Sequence, residues 1–323
     1  MHAMKRRLLI ASALAACMAA PAWAQTAERI TLVAPFPPGG PVDTLSRMLA
    51  EGLSRLHGLP AVVENLPGAA GNLGIDKVKR ARPDGRTLLV IPAGNLTINP
   101  TLMTNFPFNI EKDFAPVTML AKAPNVLVAG PGARVRNVRE LVDLARSQPG
   151  KLSYASPGIG SGLHLAGELF KQQTGTDLLH VPYKGTGPAM NDVLGGTVPL
   201  MFTNLPAALQ HIRSGRLTAL GVTDTARDLT VAPEIPTLAE QGIPGVVVTS
   251  WYGLLAPAGT PPEMVARLAR EALEILEQPA IREQLKAQGL TAVAMKPADF
   301  SAHIRAETAT WARIIKARNI VAE

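Results

Sequence analysis

Strand-sized apolar runs alternate with helix-sized amphipathic runs along most of this chain, and Gly- and Pro-rich turns divide them. That alternation constrains the fold most. Arg29-Ile30-Thr31-Leu32-Val33-Ala34 reads as a strand that stops at Pro35-Phe36-Pro37-Pro38-Gly39-Gly40-Pro41. A helix follows, with Asp43 as its expected N-cap and Leu45, Met48, Leu49, Leu53 and Leu56 at helical spacing, and Gly58 closes it. Ala61 to Glu64 is a second strand, Asn65 to Gly71 a loop, 72–82 a helix, Pro83-Asp84-Gly85 a turn and Thr87 to Ile91 a third strand. Such a βαβ series implies a parallel sheet with helices on its faces. A second series starts near Pro124. It has strands at 126–129, 152–155, 178–181, 198–202 and 217–222, with helices at 138–146, after Gly160, at 186–194 and at 206–213. Ala232 to Pro236 reads as a hinge. Strands near 246–250 and 252–256 and helices over 262–277, 280–288 and 297–318 complete the chain. Roughly 85 mostly helical residues make a weak core of their own, so they are expected to return to the first unit. The fold class is therefore α/β with two lobes. Residues 25–124 plus 236–323 form one lobe and 125–235 the other, each a mostly parallel sheet flanked by helices, with a cleft between.

The first 24 residues stand apart. Lys5, Arg6 and Arg7 precede an uncharged apolar run from Leu8 to Ala16, and Ala22-Trp23-Ala24 is a small-x-small cleavage signal. This is the pattern of a cleaved signal peptide and of export to the periplasm. Leu14-Ala15-Ala16-Cys17 also fits a lipoprotein processing site, the alternative in which Cys17 carries a lipid. Cleavage after Ala24 removes three basic residues and no acidic ones, so the formal charge falls from +7 to +4. With no Lys/Arg block, nucleic acid is not an expected partner. Cys17 is the single cysteine, which excludes a disulfide framework and any Cys-cluster metal site. His57, His164, His180, His211 and His303 are scattered, with no His-x-x-x-His, so neither a metal nor a cofactor is expected.

Two Gly-rich turns, each between a strand and a helix, carry the recognisable chemistry. Phe36 to Thr44 includes Pro38, Gly39, Gly40 and Asp43. Ser156 to His164 includes Gly158, Gly160 and Ser161. Glycines let backbone approach a ligand closely, and free N–H groups at a helix start suit a carboxylate or phosphate. The second turn lacks the third glycine of G-x-G-x-x-G, where Leu163 stands, and no Gly-Lys-Ser/Thr follows, so neither a dinucleotide nor an NTP is indicated. Ser161 and His164 are three apart and could form a nucleophile pair, although Gly160 rather than a serine centres the turn. Further candidates are Asn72 at a helix start, Ala93-Gly94-Asn95, Tyr183-Lys184-Gly185 and Phe202-Thr203-Asn204, all of which also serve as ordinary turn residues. Trp251 and Trp311 read as packing residues.

The ordered set of these motifs resembles the Bug family, the periplasmic receptors of tripartite tricarboxylate transporters. The matching stretches include Val33-Ala34-Pro35-Phe36-Pro37-Pro38-Gly39-Gly40, Val63 to Asn72, Pro83-Asp84-Gly85-Arg86-Thr87, His164-Leu165-Ala166-Gly167-Glu168, His180-Val181-Pro182-Tyr183-Lys184-Gly185, Met201 to Pro206 and Thr249 to Gly253. The resemblance implies a two-lobed, monomeric binding protein without catalysis or cofactor. Its implied partners are a small carboxylate and the membrane subunits of a tripartite tricarboxylate-type transporter. Carried over residue by residue, the ligand loops are Phe36 to Thr44, Gly71-Asn72 and Ala93 to Asn95 in the first lobe. In the second they are Ser156 to His164, Tyr183 and Thr203-Asn204. Two departures bear on the ligand. Thr203 stands where many relatives have an Asp, which removes a partner for a ligand ammonium and points to a dicarboxylate or aromatic carboxylate. Ile159 adds bulk to the second turn. The alternatives are a periplasmic Ser-His hydrolase using Ser161 and His164, and a carboxylate sensor on the same fold.

Overall fold

A computed structural model describes residues 28–227, 232–293, 295–317 and 319–321. The expected cleavage after Ala24 and the alternative at Cys17 lie outside the described residues. The buried strand β1 (Ile30–Ala34) leads into α1 (Pro41–His57). Then come β2 (Ala61–Asn65), α2 (Asn72–Lys79), β3 (Thr87–Pro92) and three short helices, α3 (Ala93–Thr97), α4 (Asn99–Leu102) and α5 (Ile110–Asp113). β4 (Phe114–Ala123) runs to Pro124, and β5 (Asn125–Ala129) begins directly after it. The second unit continues with α6 (Val138–Ser147), β6 (Ser153–Ser156), α7 (Gly162–Thr174), β7 (Leu179–Pro182) and α8 (Thr186–Leu194), then β8 (Leu200–Asn204), α9 (Leu205–Arg213) and β9 (Thr218–Val222). β10 (Ser250–Pro257), α10 (Pro262–Glu277), α11 (Pro279–Ala287), β11 (Thr291–Ala292) and α12 (Pro297–Ala317) follow.

Two sheets result, with strand orders β11-β4-β10-β3-β1-β2 and β7-β6-β8-β5-β9. Both sheets are mixed rather than mostly parallel: in each, three βαβ-linked strands are parallel, the strand that has just crossed from the other sheet inserts antiparallel beside them (β10 against β3, β5 against β8), and β4 and β9 add further antiparallel pairs. The carboxyl ends of the parallel strands carry the candidate loops, as expected for ligand sites on open α/β sheets.

Local chemistry differs from the sequence reading in several places. The N-cap of α1 is Gly40, not Asp43: Pro41, preset in φ and lacking an N–H to leave unpaired, starts the helix three residues earlier. Gly58 in the left-handed conformation ends α1, its N–H on the Ser54 carbonyl. Residues 246–249 are not a strand. Val246 and Val248 instead pack in the second sheet's core with Leu238 and Ile243. Pro236 also stays with that sheet, its carbonyl accepting from Val222 N–H (2.9 Å). The chain therefore regains the first sheet only at Ser250. β4, unread in the sequence, lies between β10 and β11.

The C-terminal helices pack where the weak-core argument put them, with one addition. Val265, Leu268, Ile275, Ile281 and Leu285 join β1, β3 and β4 in the first core. Phe300 and Ile304 of α12 pack under β3 and β10. Trp311 and Ile315, two turns further along, pack in the second core, so α12 straps both lobes. Trp251 and Trp311 are buried, and both indole N–H groups donate to Glu307 (2.6 and 3.4 Å).

Candidate ligand-binding site

The first-lobe turn is fixed by one carboxylate. Asp43, buried in the first turn of α1, accepts from the Gly39 N–H (3.1 Å), Arg47 Nε (3.0 Å) and Asn65 Nδ2 (3.0 Å). Burial alone would raise its pKa. The bonds from Arg47, Gly39 and Asn65 outweigh burial and hold it below the usual carboxylate value. Asn65 Nδ2 also donates to the Phe36 carbonyl (3.2 Å). Gly39 sits at φ +93°, and Pro38 and Gly39 are exposed at the tip while Phe36, Gly40 and Thr44 are half-buried. Thr44 N–H is spent on the Gly40 carbonyl (3.0 Å). Asp43 thus shapes the loop, and its charge is already neutralised by Arg47.

Beside it, Gly68, Ala69, Ala70 and Gly71 all have positive φ. Such backbone is strained for alanine and persists only when clamped. The clamp is Asn95, whose Nδ2 donates to the Ala70 carbonyl (2.8 Å). A Cβ on Gly71 would lie 3.2 Å from Asn95 Nδ2 and 3.4 Å from Phe36 Cζ, so three candidates separated in sequence meet here. Asn72 Oδ1 is buried without a hydrogen-bond partner among the described residues. Ala93 opens α3.

In the second lobe Ser161 is the N-cap of α7. Its Oγ accepts from His164 N–H (3.1 Å) and donates to the Gly158 carbonyl (2.7 Å). The His164 ring does something else: Nδ1 accepts from Gly160 N–H (3.3 Å), and the ring stacks on His180 at 4.2 Å. The sequence therefore places Ser161 and His164 together, but as cap and backbone acceptor rather than nucleophile and base. His180 Nε2 lies 2.7 Å from Ser156 Oγ, and its ring stacks between His164 and Tyr154. Burial pushes His164 down to about 4, with Lys171 adding to it. Burial and then His164 push His180 down to about 3. The pair is a neutral buttress beneath the Gly158–Ser161 turn, a role absent from the sequence reading of His180.

Two second-lobe candidates, Tyr183 and Asn204, are engaged elsewhere, and a third, Thr203, is buried in a strand. Tyr183 borders the turn through its backbone, since a Cβ on Gly158 would lie 3.2 Å from its carbonyl oxygen. Its hydroxyl, however, donates to Asp192 of α8 (2.5 Å), and burial with that carboxylate raises its pKa to about 12. Thr203 is wholly buried in β8, its Oγ1 without a partner among the described residues. Asn204 belongs to the lobe crossing. Asn125 Oδ1 accepts from Asn204 Nδ2 (2.8 Å) and Ser250 Oγ (2.8 Å), Asn125 Nδ2 donates to the Val248 carbonyl (2.8 Å), and Asn204 Oδ1 accepts from the Tyr252 hydroxyl (3.3 Å). Both strands that change lobe, β5 and β10, are thereby pinned to β8.

The lobes touch at residues the sequence reading did not single out for contact. A Cβ on Gly94 would collide with the Gly160 carbonyl oxygen, and a Cβ on Gly160, which has φ +75°, would overlap Asn99 Oδ1. Only glycine at both positions lets α3 and α4 close on the second turn.

The receptor profile of the tripartite tricarboxylate transporter family matches residues 45–320. The protein BugT of Bordetella pertussis is 38% identical over 302 residues, covering 93% of this chain and 92% of its own. Rpa4515 of R. palustris, solved with adipate, superposes with a TM-score of 0.85 at 34% identity, over 93% of this chain and 99% of its own. MatC from Rhodopseudomonas palustris, with bound malate, gives 0.83 at 31%, over 89% and 99%. This chain belongs to the tripartite tricarboxylate transporter receptor family and is a periplasmic binding protein of the Bug type.

Proposed function

We propose that this chain captures a small carboxylate between its lobes and delivers it to membrane subunits of a tripartite tricarboxylate-type transporter, as a monomer and without turnover. The observation that carries this reading is the seating of the Gly160 carbonyl on Gly94, which sets the second-lobe Gly-rich turn against the first-lobe segment that Asn95 joins to Ala70 and Gly71. Relatives of the same fold solved with adipate and malate support the ligand class. The ligand-contacting set is Phe36 to Thr44, Gly71, Asn72, Ala93 to Asn95, Ser156 to Ser161, His164 and Thr203. Tyr183 and Asn204 brace that set, because their polar groups are spent on Asp192 and on the lobe crossing. Export by cleavage after Ala24 belongs to the same reading. Mass spectrometry of small molecules released on denaturing freshly purified protein tests it. One organic acid at near-stoichiometric amount is expected. A sugar, amine or nucleotide in its place refutes it.

A further inference from the structure

We propose that Asn99 reads a hydroxyl group on the captured acid, accepting its hydrogen bond through Oδ1; the assignment rests on the carboxylate reading above. Asn99 is only 2% exposed, and its Oδ1 has no hydrogen-bond partner among the described residues. A buried unpaired acceptor is unfavourable, so such an atom calls for a donor. The oxygen points at Gly160, in the turn that faces Gly94 across the lobes.

The donors of Gly160, Ser161, Asn95 and Thr97 are already committed. Gly160 N–H goes to His164 Nδ1, and both Ser161 N–H and Ser161 Oγ–H go to the Gly158 carbonyl. Asn95 Nδ2 goes to Ala70 and Thr97 Oγ1 to Ala93. A donor on the ligand would complete Asn99. An amide oxygen cannot bond a carboxylate oxygen, since both only accept, so the group it reads is a different part of the molecule. A hydroxyl fits better than an ammonium. Of the candidate residues, Asp43 is neutralised by Arg47, and Thr203 supplies no charge. The ligand class is thus a hydroxycarboxylate.

The test is calorimetry on the mature chain with two matched pairs, succinate with malate and adipate with 3-hydroxyadipate. In the wild type the hydroxylated member of the pair that binds should be favoured about tenfold, the value of one hydrogen bond to a buried acceptor. Asn99→Leu, close in size but without the acceptor, should bring the two affinities within about twofold, and Asn99→Ala should do the same if leucine overpacks. An unchanged preference in both variants overturns the assignment. So does a wild type with no preference, or one that binds aspartate more tightly than malate. Variants that fold, by their melting curves, yet lose both members of the pair also overturn it, since Asn99 would then support the whole site. A wild type that binds none of the acids refutes the carboxylate reading itself, which is a separate outcome.

Discussion

Lowering the pH from 8 to 5 should destabilise this protein through two stacked histidines. His164 and His180 are both buried, and their pKa values fall from 6.5 to about 4 and about 3. Geometry agrees, because His164 Nδ1 must be unprotonated to accept from Gly160 N–H. Unfolding restores an ordinary imidazole, which takes up a proton below about pH 6.5. The stability these groups contribute is therefore fully present above pH 6.5 and is lost as the pH falls towards the folded values. Integrated from pH 8 to pH 5, the loss is about 2 kcal/mol for one such imidazole and about 2–4 kcal/mol for the coupled pair. Urea unfolding of the wild type and of His164→Gln/His180→Gln at both pH values reads it directly. Glu307, raised by burial against the bonds from Trp251 and Trp311, acts in the opposite sense, since its contribution is lost as pH rises. His303, lowered by burial, acts in the same sense as the pair. Both cancel in the difference between wild type and variant. An equal pH dependence in the two proteins would refute the reasoning.

Other expectations follow from the same contacts. Ser161→Ala removes both the cap of α7 and the bond to Gly158, and should cost about 1 kcal/mol in chemical denaturation, with ligand affinity reduced severalfold through the loosened turn. Asp43→Ala leaves Gly39 N–H and Asn65 Nδ2 without their acceptor and should cost about 1–3 kcal/mol. Asp43→Asn keeps one acceptor oxygen for the Gly39 N–H but turns its NH2 group towards Asn65 Nδ2 and loses the charge facing Arg47; it should still cost less than alanine does, as paired melting curves would show. Thr203→Asp restores a carboxylate and should shift calorimetric preference from succinate towards aspartate. An unchanged preference would separate Thr203 from selectivity.

The frame of the protein was legible because it is written in local patterns. Apolar runs, Gly-Pro punctuation and the periodicity from Leu45 to Leu53 place β1, α1 and most of the second unit. Asp43 misled as a cap because its side chain reaches back to Gly39 from inside the helix, and a capping residue and a first-turn acid look alike in sequence. The return to the first sheet was harder to place. Pro236 has the composition of a hinge, yet Leu238, Ile243 and Val248 hold the following segment to the second core. Turn chemistry points to Gly39 and Ser161 as candidate loop residues, and the family resemblance points to Gly71. Neither points to Asn99: its significance comes from Gly160, far along the chain, and Asn99-Pro100 by itself reads only as a helix start. His180 was quoted as a family match, but its stack on His164 depends on the register of β6 beside β7.

The claim that a ligand is held between closed lobes is tested most directly by the affinity of Gly94→Ala for the acid that co-purifies with the wild type. Gly94 lies in α3 without positive φ, so alanine suits its backbone and should leave stability unchanged or slightly higher. The added methyl would meet the Gly160 carbonyl at the contact between the lobes and so should oppose their closure. Calorimetry should show affinity at least tenfold weaker with a melting temperature no lower than the wild type. Wild-type affinity in Gly94→Ala would contradict capture by closure at this contact.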